Sequence, residues 1–383
     1  MVAFSNRMGY NAYQAQSPAA GGNQLALKEA LMKGKTNDNR MVHYDLLRIL
    51  AAFSVVILHI SAQFWYDFDV TDFRWLTANS YDALFRFGVP VFVMISGALF
   101  LPGPEKTDMK RLYCHNIMRL LAIFIVWSCL YGLLDCYNFG FQNLTMSNIL
   151  QEMLFGRYHL WYLPLQIGIY MLLPILRIWI QNADKKNIRY FLLLFLIFQV
   201  GSETLDALFV HKSVTYAASL IKPYMVCGYL GYFIWGYYIA HYGIQQKYHK
   251  FIYAAGVLSL ACNVFFSNRI SLWKGQPLGK IYDSFGIFTF MISTALFLFS
   301  TARVSRHSFG PGAKKVIREL SLDTLGVYAL HIGLIEILTA RGIHSMLLPN
   351  IVGIPLFSIF CFITCTLAAA ILRRIPVIGK YIC

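Results

Sequence analysis

Arg48 and His59 stand eleven residues apart in an otherwise apolar stretch, DLLRILAAFSVVILHIS, over residues 45–61. At about 100° per residue this spacing is three helical turns plus roughly 20°. Both side chains therefore fall on one face, about 16 Å apart along the axis at 1.5 Å per residue. A guanidinium binds phosphate with a rigid fork of donors, and a neutral imidazole can take a proton near pH 7. A cation at one mouth and an imidazole deeper on the same stripe describe an anionic carrier's path to a general base. Asp45, three residues before Arg48, is close enough to pair with it. The same residues suit a plainer role: Asp45 and Arg48 anchor the span end by snorkelling, and His59 bonds a neighbouring helix. The spacing alone leaves both open.

Other segments carry residues of similar promise. HLWYLP (159–164) holds His159, Trp161 and Tyr162 where an interfacial aromatic belt is expected, yet a histidine beside aromatics is also how a sugar is stacked and hydrogen-bonded. Glu203 and Asp206 lie where they can face the same cavity. In SLDTLGVYALHIGLIE (321–336), Ser321, Tyr328 and His331 fall near one helical face, followed by Glu336. FRFGVPVFVMISGALF (85–100) contains Arg86, Pro90 and Ser96–Gly97, the last pair permitting close helix contact. Arg119 opens the next apolar run behind Arg111, where a basic cytosolic face is explanation enough.

The elements that must position these residues are helices in lipid. Of 383 residues, 57% are hydrophobic and 13% charged, with a mean hydropathy of +0.53. Soluble domains carry about 25% charge, so a water-soluble globule, a disordered chain, collagen and a coiled coil are excluded. The 16% aromatic content suits a chain with two wet interfaces. A net charge of +15 would suggest nucleic acid in a soluble protein; here it reflects basic cytosolic loops, and no nucleic-acid partner is expected. The eight cysteines form no CxxC pair and read as small core hydrophobes, neither a metal site nor a disulfide framework.

The fold class expected is all-α, a polytopic membrane bundle of about ten helices. Spans are expected near 46–64, 84–101, 117–136, 160–180, 189–209, 222–241, 251–267, 281–300, 321–340 and 347–371. Each is about the length needed to cross ~30 Å of hydrocarbon. Pro164, Pro174 and Pro223 leave the fourth and sixth spans least regular. Residues 1–43 read as a polar, poorly ordered cytosolic tail with a short helix around Leu25–Met32 and no signal-peptide run, and 44–383 as the membrane domain. With the N-terminus inside, 21 lysines and arginines fall in cytosolic segments. Six fall outside: Arg74, Arg157, Lys212, Arg269, Lys274 and Lys280. The positive-inside bias thus places both termini in the cytosol. Ionisable residues at lipid depth cost about 2.5–3.5 kcal/mol each on insertion scales, which marks Arg48, His59 and His331 as functional candidates. A transporter of an acyl anion or small glycan would suit the same pattern.

In order along the chain, these segments resemble the acyltransferase 3 family of integral-membrane acyltransferases. Its arginine and histidine separated by ten residues are matched by Arg48 and His59, preceded by Asp45. FVMISG (92–97), Arg119, HLWYL (159–163), YLGYFIWGYY (229–238) and SLDTLGVYALH (321–331) match further motifs. The match runs over about residues 40–372. Ala98 departs from a position where a large apolar residue is commoner, and no soluble esterase-like domain is appended, which disfavours a peptidoglycan acceptor.

The resemblance implies transfer of an acyl group, usually acetyl from acetyl-CoA, to a hydroxyl of a cell-surface or exported glycan or lipid-linked sugar. It implies a multi-pass protein of the cell (inner or plasma) membrane, with acyl-CoA, the acceptor and the bilayer as partners and no metal. Under that reading His59 is the base, supported by Arg48 and Asp45, while Arg48, Arg111 and Arg119 hold the donor's phosphates. His159, Trp161, Glu203, Tyr328 and His331 contact the acceptor. The same fold acylating a non-carbohydrate remains an alternative.

Overall fold

The computed structural model describes residues 37–104, 106–139, 156–209, 228–376 and 379. The segment around Leu25–Met32 lies outside them. Among the described residues every regular element is a helix. The main helices are α1 (Asn37–Ala62), α2 (Phe73–Phe85), α3 (Gly88–Phe100), α4 (Met118–Phe139), α5 (Tyr162–Asn182), α6 (Lys185–Leu194), α7 (Ser202–Phe209), α8 (Tyr229–Tyr242), α9 (His249–Lys274), α10 (Ile287–Ala302), α11 (Pro311–Ala340) and α12 (Asn350–Arg374). π-helical turns Leu112–Ile117 and Phe195–Gly201 lead into α4 and join α6 to α7. Nine stretches of the described residues are long and apolar enough to cross a bilayer.

Helix α8 has 14 residues, and 222–227 of the expected sixth span lie outside the described residues. Its two ends nevertheless contact opposite ends of the bundle. Tyr232 donates to the Ser284 carbonyl in the α9–α10 connection at 2.5 Å, and Arg189 near the start of α6 donates to the Tyr238 hydroxyl at 2.8 Å. Helix α8 thus runs antiparallel to α6 and α7, since Asp206 of α7 meets Lys280 of the same connection. The start of α1 and the end of α12 share one end: Ser300, at the end of α10, bonds the His43 carbonyl at 3.0 Å, and Arg373 bonds Asp323, two residues from the Ser321 that meets Asp45, at 2.8 Å.

Central to the packing is α1, whose Ala51, Val56, Ile57 and Ile60 are buried and which touches α2, α3, α11 and α12. Small residues set the closest crossings. A Cβ on Gly97 would lie 1.7 Å from the Phe233 carbonyl oxygen, and one on Gly236 would lie 2.1 Å from that of Met94. The Ser96–Gly97 pair therefore lets α3 and α8 meet backbone to backbone, as its residue types suggested.

The second span differs from expectation. It begins at Phe73, not near residue 84, and is broken between α2 and α3. Pro90 sits in the first turn of α3, where its missing N–H is harmless; continued through, the helix would leave the Arg86 carbonyl without its partner. Helix α2 looks too polar for lipid because it carries Asn79, Ser80 and Asp82. Asp82 pairs with Arg86 at 2.7 Å, four residues on, and the amide and hydroxyl groups are satisfied against α9. Asn79 donates to Asn268 at 2.7 Å, Asn268 donates to Ser80 at 3.0 Å, and Asn263 donates to the Ala83 carbonyl at 2.7 Å. Just before α2, the backbone and hydroxyl of Thr71 both donate to Asp69 and hold its carboxyl below the usual range. Of the cysteines, Cys361 and Cys365 are buried as core hydrophobes, whereas Cys114 is exposed.

Candidate active site

Helices α1 and α11 run side by side in the same direction. Ser321 donates to Asp45 Oδ1 at 2.8 Å, His331 Nε2 lies 3.2 Å from His59 Nδ1, and Gln63 donates to Thr339 at 2.5 Å. The sequence offsets of these three pairs, 276, 272 and 276, are nearly constant. The face of α1 carrying Arg48 and His59 is therefore the face that α11 covers. Parallel neighbours so far apart in sequence need intervening passes, which the helices between them supply.

At one end of this seam Arg48 and Asp45 form a 3.0 Å ion pair, both side chains about 5% exposed. A buried pair survives desolvation only when further hydrogen bonds satisfy it, and Ser321 supplies one. Tyr162 and Tyr170 of α5 lie within electrostatic reach of Arg48, and Arg119 reaches Tyr170 as well. Tyr162 donates to Gln166 Oε1 at 3.1 Å. Arg111 and Arg119 flank the π turn Leu112–Ile117. Eight residues of plain α-helix would set them about 80° apart. The i→i+5 bonding of a π turn absorbs about one residue and brings them to roughly 20°. The two arginines thus share a face.

At the other end of the seam three histidines meet. His59 Nδ1 lies 2.7 Å from the Val55 carbonyl, and His331 Nδ1 lies 2.8 Å from that of Tyr328. A carbonyl only accepts, so each Nδ1 carries the proton. His331 Nε2 is then a lone pair, and it accepts from His59 Nδ1–H, which is shared with Val55. The consequence lies on the far side of the ring: His59 Nε2 is unprotonated. That nitrogen is the basic atom of the pair. His159 sits in the short 3₁₀ turn Tyr158–Trp161 and is 1% exposed. Its ring centroid lies 5.2 Å from that of His331 and 6.4 Å from that of His59. Neither of its ring nitrogens has a hydrogen-bond partner among the described residues. The Ala329 carbonyl lies close enough to interact with the His159 ring, and it also accepts from the Tyr131 hydroxyl at 2.7 Å. Tyr328 donates to the His159 carbonyl and so fixes the turn to α11. Among the described residues no three His, Cys, Asp or Glu side chains are placed to hold a metal ion.

Of the residues singled out from sequence, the structure gathers His59, His159, Tyr328 and His331 at one level and Asp45, Arg48 and Ser321 at another. Trp161 lies at the edge, 45% exposed, its ring 5.5 Å from that of Tyr229. Glu203 and Asp206 are on α7, where Asp206 pairs with Lys280 at 3.1 Å and Thr204 accepts from the Ile287 backbone at 2.9 Å. Those contacts tie α7 to the α9–α10 connection.

Sequence reasoning passed over Arg157, Asp135 and Arg177. Arg177 is 5% exposed and bonds the Phe100 carbonyl at 2.8 and 2.9 Å, closing the C-terminal end of α3. Arg157 bridges Asp135 and Glu336 beside the histidines. Ionisable residues within apolar runs were the available signal.

Among curated proteins and among solved structures nothing matches the chain. Residues 42–373, the stretch that carries both levels of the seam, match the family model described as an acyltransferase domain, and the chain belongs to the acyltransferase 3 family of membrane acyltransferases.

Proposed function

We propose that this membrane acyltransferase moves an acetyl group from cytosolic acetyl-CoA to a hydroxyl of a cell-surface or exported glycan, in the cell membrane with both termini cytosolic. The observation that carries the reading is the seam itself: a buried arginine and a histidine with a free Nε2 lie on one face of α1, about 16 Å apart along the axis. That offset suits a carrier whose phosphates stay at the arginine end while its thioester reaches the histidines. Arg48, Arg111 and Arg119 receive the phosphates, with Asp45 orienting Arg48.

The thioester is already activated, so no covalent enzyme intermediate is needed. His59 Nε2 takes the proton of the acceptor hydroxyl as its oxygen bonds to the thioester carbonyl carbon. The tetrahedral intermediate then collapses, the C–S bond breaks, and the proton on His59 passes to the departing thiolate. The products are the O-acetyl ester and CoA. His331, held by the Tyr328 carbonyl, keeps the proton of His59 on Nδ1 and its lone pair on Nε2.

The test is acetyl transfer by purified protein, together with mass spectrometry of surface glycans from cells with and without it. His59→Ala and His59→Gln are expected to insert and melt in detergent like wild type while losing about 10²–10⁴ in rate, the usual worth of a general base. Transfer within threefold of wild type in His59→Ala would move the base elsewhere, to His331 first. Glycan acetylation that does not depend on the protein would sink the acceptor assignment.

A further inference from the structure

Beside the histidines, three charged side chains that take no part in this chemistry meet. Arg157, two residues before His159, donates from Nη1 to Asp135 Oδ2 and from Nη2 to Glu336 Oε1, each at 2.6 Å. Asp135 is near the end of α4, and Glu336 follows His331 on α11. The cluster therefore joins three elements beside the candidate site. Its guanidinium carbon is 5.9 Å from the Tyr131 ring, which lies 5.0 Å from His159.

This is not the geometry of a bridge built only for stability. Each carboxylate spends one oxygen on Arg157. Asp135 Oδ1, Glu336 Oε2 and Arg157 Nε are buried with no partner among the described residues, as are both ring nitrogens of His159. A buried polar atom left unmade costs about 1–3 kcal/mol, and several of them gathered at one place suit a ligand that both donates and accepts. The side chains of Asp135, Arg157 and Glu336 keep 27%, 21% and 26% of their surface exposed, so the cluster borders solvent. Tyr158, 64% exposed, has its ring 5.9 Å from His59 and 5.7 Å from His159. It offers a flat apolar face between the cluster and the base.

We propose that Asp135, Arg157 and Glu336 form the acceptor subsite, and that it takes an uncharged sugar presenting neighbouring hydroxyls. The inference rests on the glycan reading above. A hydroxyl donates to a carboxylate oxygen and accepts from a guanidinium or imidazole N–H, so alternating acceptors and donors match adjacent hydroxyls of one ring. Tyr158 covers the ring's C–H face. One arginine against two carboxylates leaves a formal charge of −1, which sets the site against uronic acids and phosphorylated sugars.

The test is acetyl transfer from labelled acetyl-CoA to p-nitrophenyl glucoside, galactoside and mannoside, with p-nitrophenyl glucuronide as the charged comparison, by purified wild type and the near-isosteric Asp135→Asn and Glu336→Gln. Wild type is expected to prefer a neutral hexoside over the glucuronide by about tenfold or more. Each variant is expected to raise the hexoside KM about tenfold, the worth of one hydrogen bond to a charged group, while the KM for acetyl-CoA stays within twofold. The double variant is expected to narrow the preference over glucuronide. Unchanged hexoside KM in both variants, or a preference for glucuronide, overturns the subsite and leaves the glycan reading standing. A lowered detergent melting temperature with both KM values raised alike makes the cluster a structural bridge and also overturns it. Wild-type transfer to 1-octanol and to none of the hexosides overturns the glycan reading and the subsite with it.

Discussion

Under the proposed mechanism His59 and His331 share a hydrogen bond but not a role. His59 Nδ1–H is held by Val55 as well as by His331, so removing His331 leaves the tautomer partly fixed. His331→Gln is expected to lower kcat by about tenfold, near the top of what one hydrogen bond contributes, against about 10²–10⁴ for His59→Gln. Equal losses, measured at saturating acetyl-CoA, would make the two histidines a single proton-transfer unit. At the other level, Arg48→Lys should raise the KM for acetyl-CoA although it keeps the positive charge, since a lysine cannot bind phosphate bidentately. An unchanged KM in Arg48→Ala would reduce Arg48 to an anchor.

At the scale of elements, the π turn Leu112–Ile117 and the glycine crossing are the devices with the clearest consequences. Deleting Cys114 together with His115 should restore plain α-helix with one residue too few, and swing Arg111 from about 20° to about 120° away from Arg119. A higher KM for acetyl-CoA with kcat retained is the expected result, and an unaltered KM would mean that Arg111 is not a phosphate ligand. Gly97→Ala places a methyl carbon 1.7 Å from the Phe233 carbonyl oxygen, backbone that cannot rotate away. Overpacking of this kind costs about 1–3 kcal/mol, read as a lower melting temperature in detergent. Gly168→Ala is the control, since its new carbon meets nothing within 4 Å. If both substitutions melt alike, the α3–α8 crossing is looser than described.

For the whole molecule, the parallel course of α1 and α11 and the two ends of α8 fit ten passes with the start of α1 and the end of α12 on one side. Cysteines introduced near Asp72 and Gln276, which flank the antiparallel α2–α9 pair at the histidine end, should react with an impermeant reagent in intact cells. Those at Thr107, beside Arg177, and at Lys314, in the first turns of α11, should not. Labelling at Lys314 would invert the orientation and place the donor's phosphates on the wrong side of the membrane.

By itself the sequence determined the all-helical membrane class, nearly all the spans, and the common face of Arg48 and His59. Those follow from hydropathy over about twenty residues and from helical periodicity, both local properties of a chain. It also carried the motifs by which HLWYL and SLDTLGVYALH are brought into one site. Only the tertiary structure decided that α2 belongs in the bundle, because Asn79 and Ser80 look too polar for lipid until Asn268 is seen to meet both. Only packing decided which nitrogen of His59 is free, since the answer depends on His331, 272 residues away. The Asp135–Arg157–Glu336 cluster was likewise invisible, its members scattered over two hundred residues and each plausible alone as an interfacial charge. Periodicity fixes a side chain's face; only the neighbour that covers the face gives that side chain its chemistry.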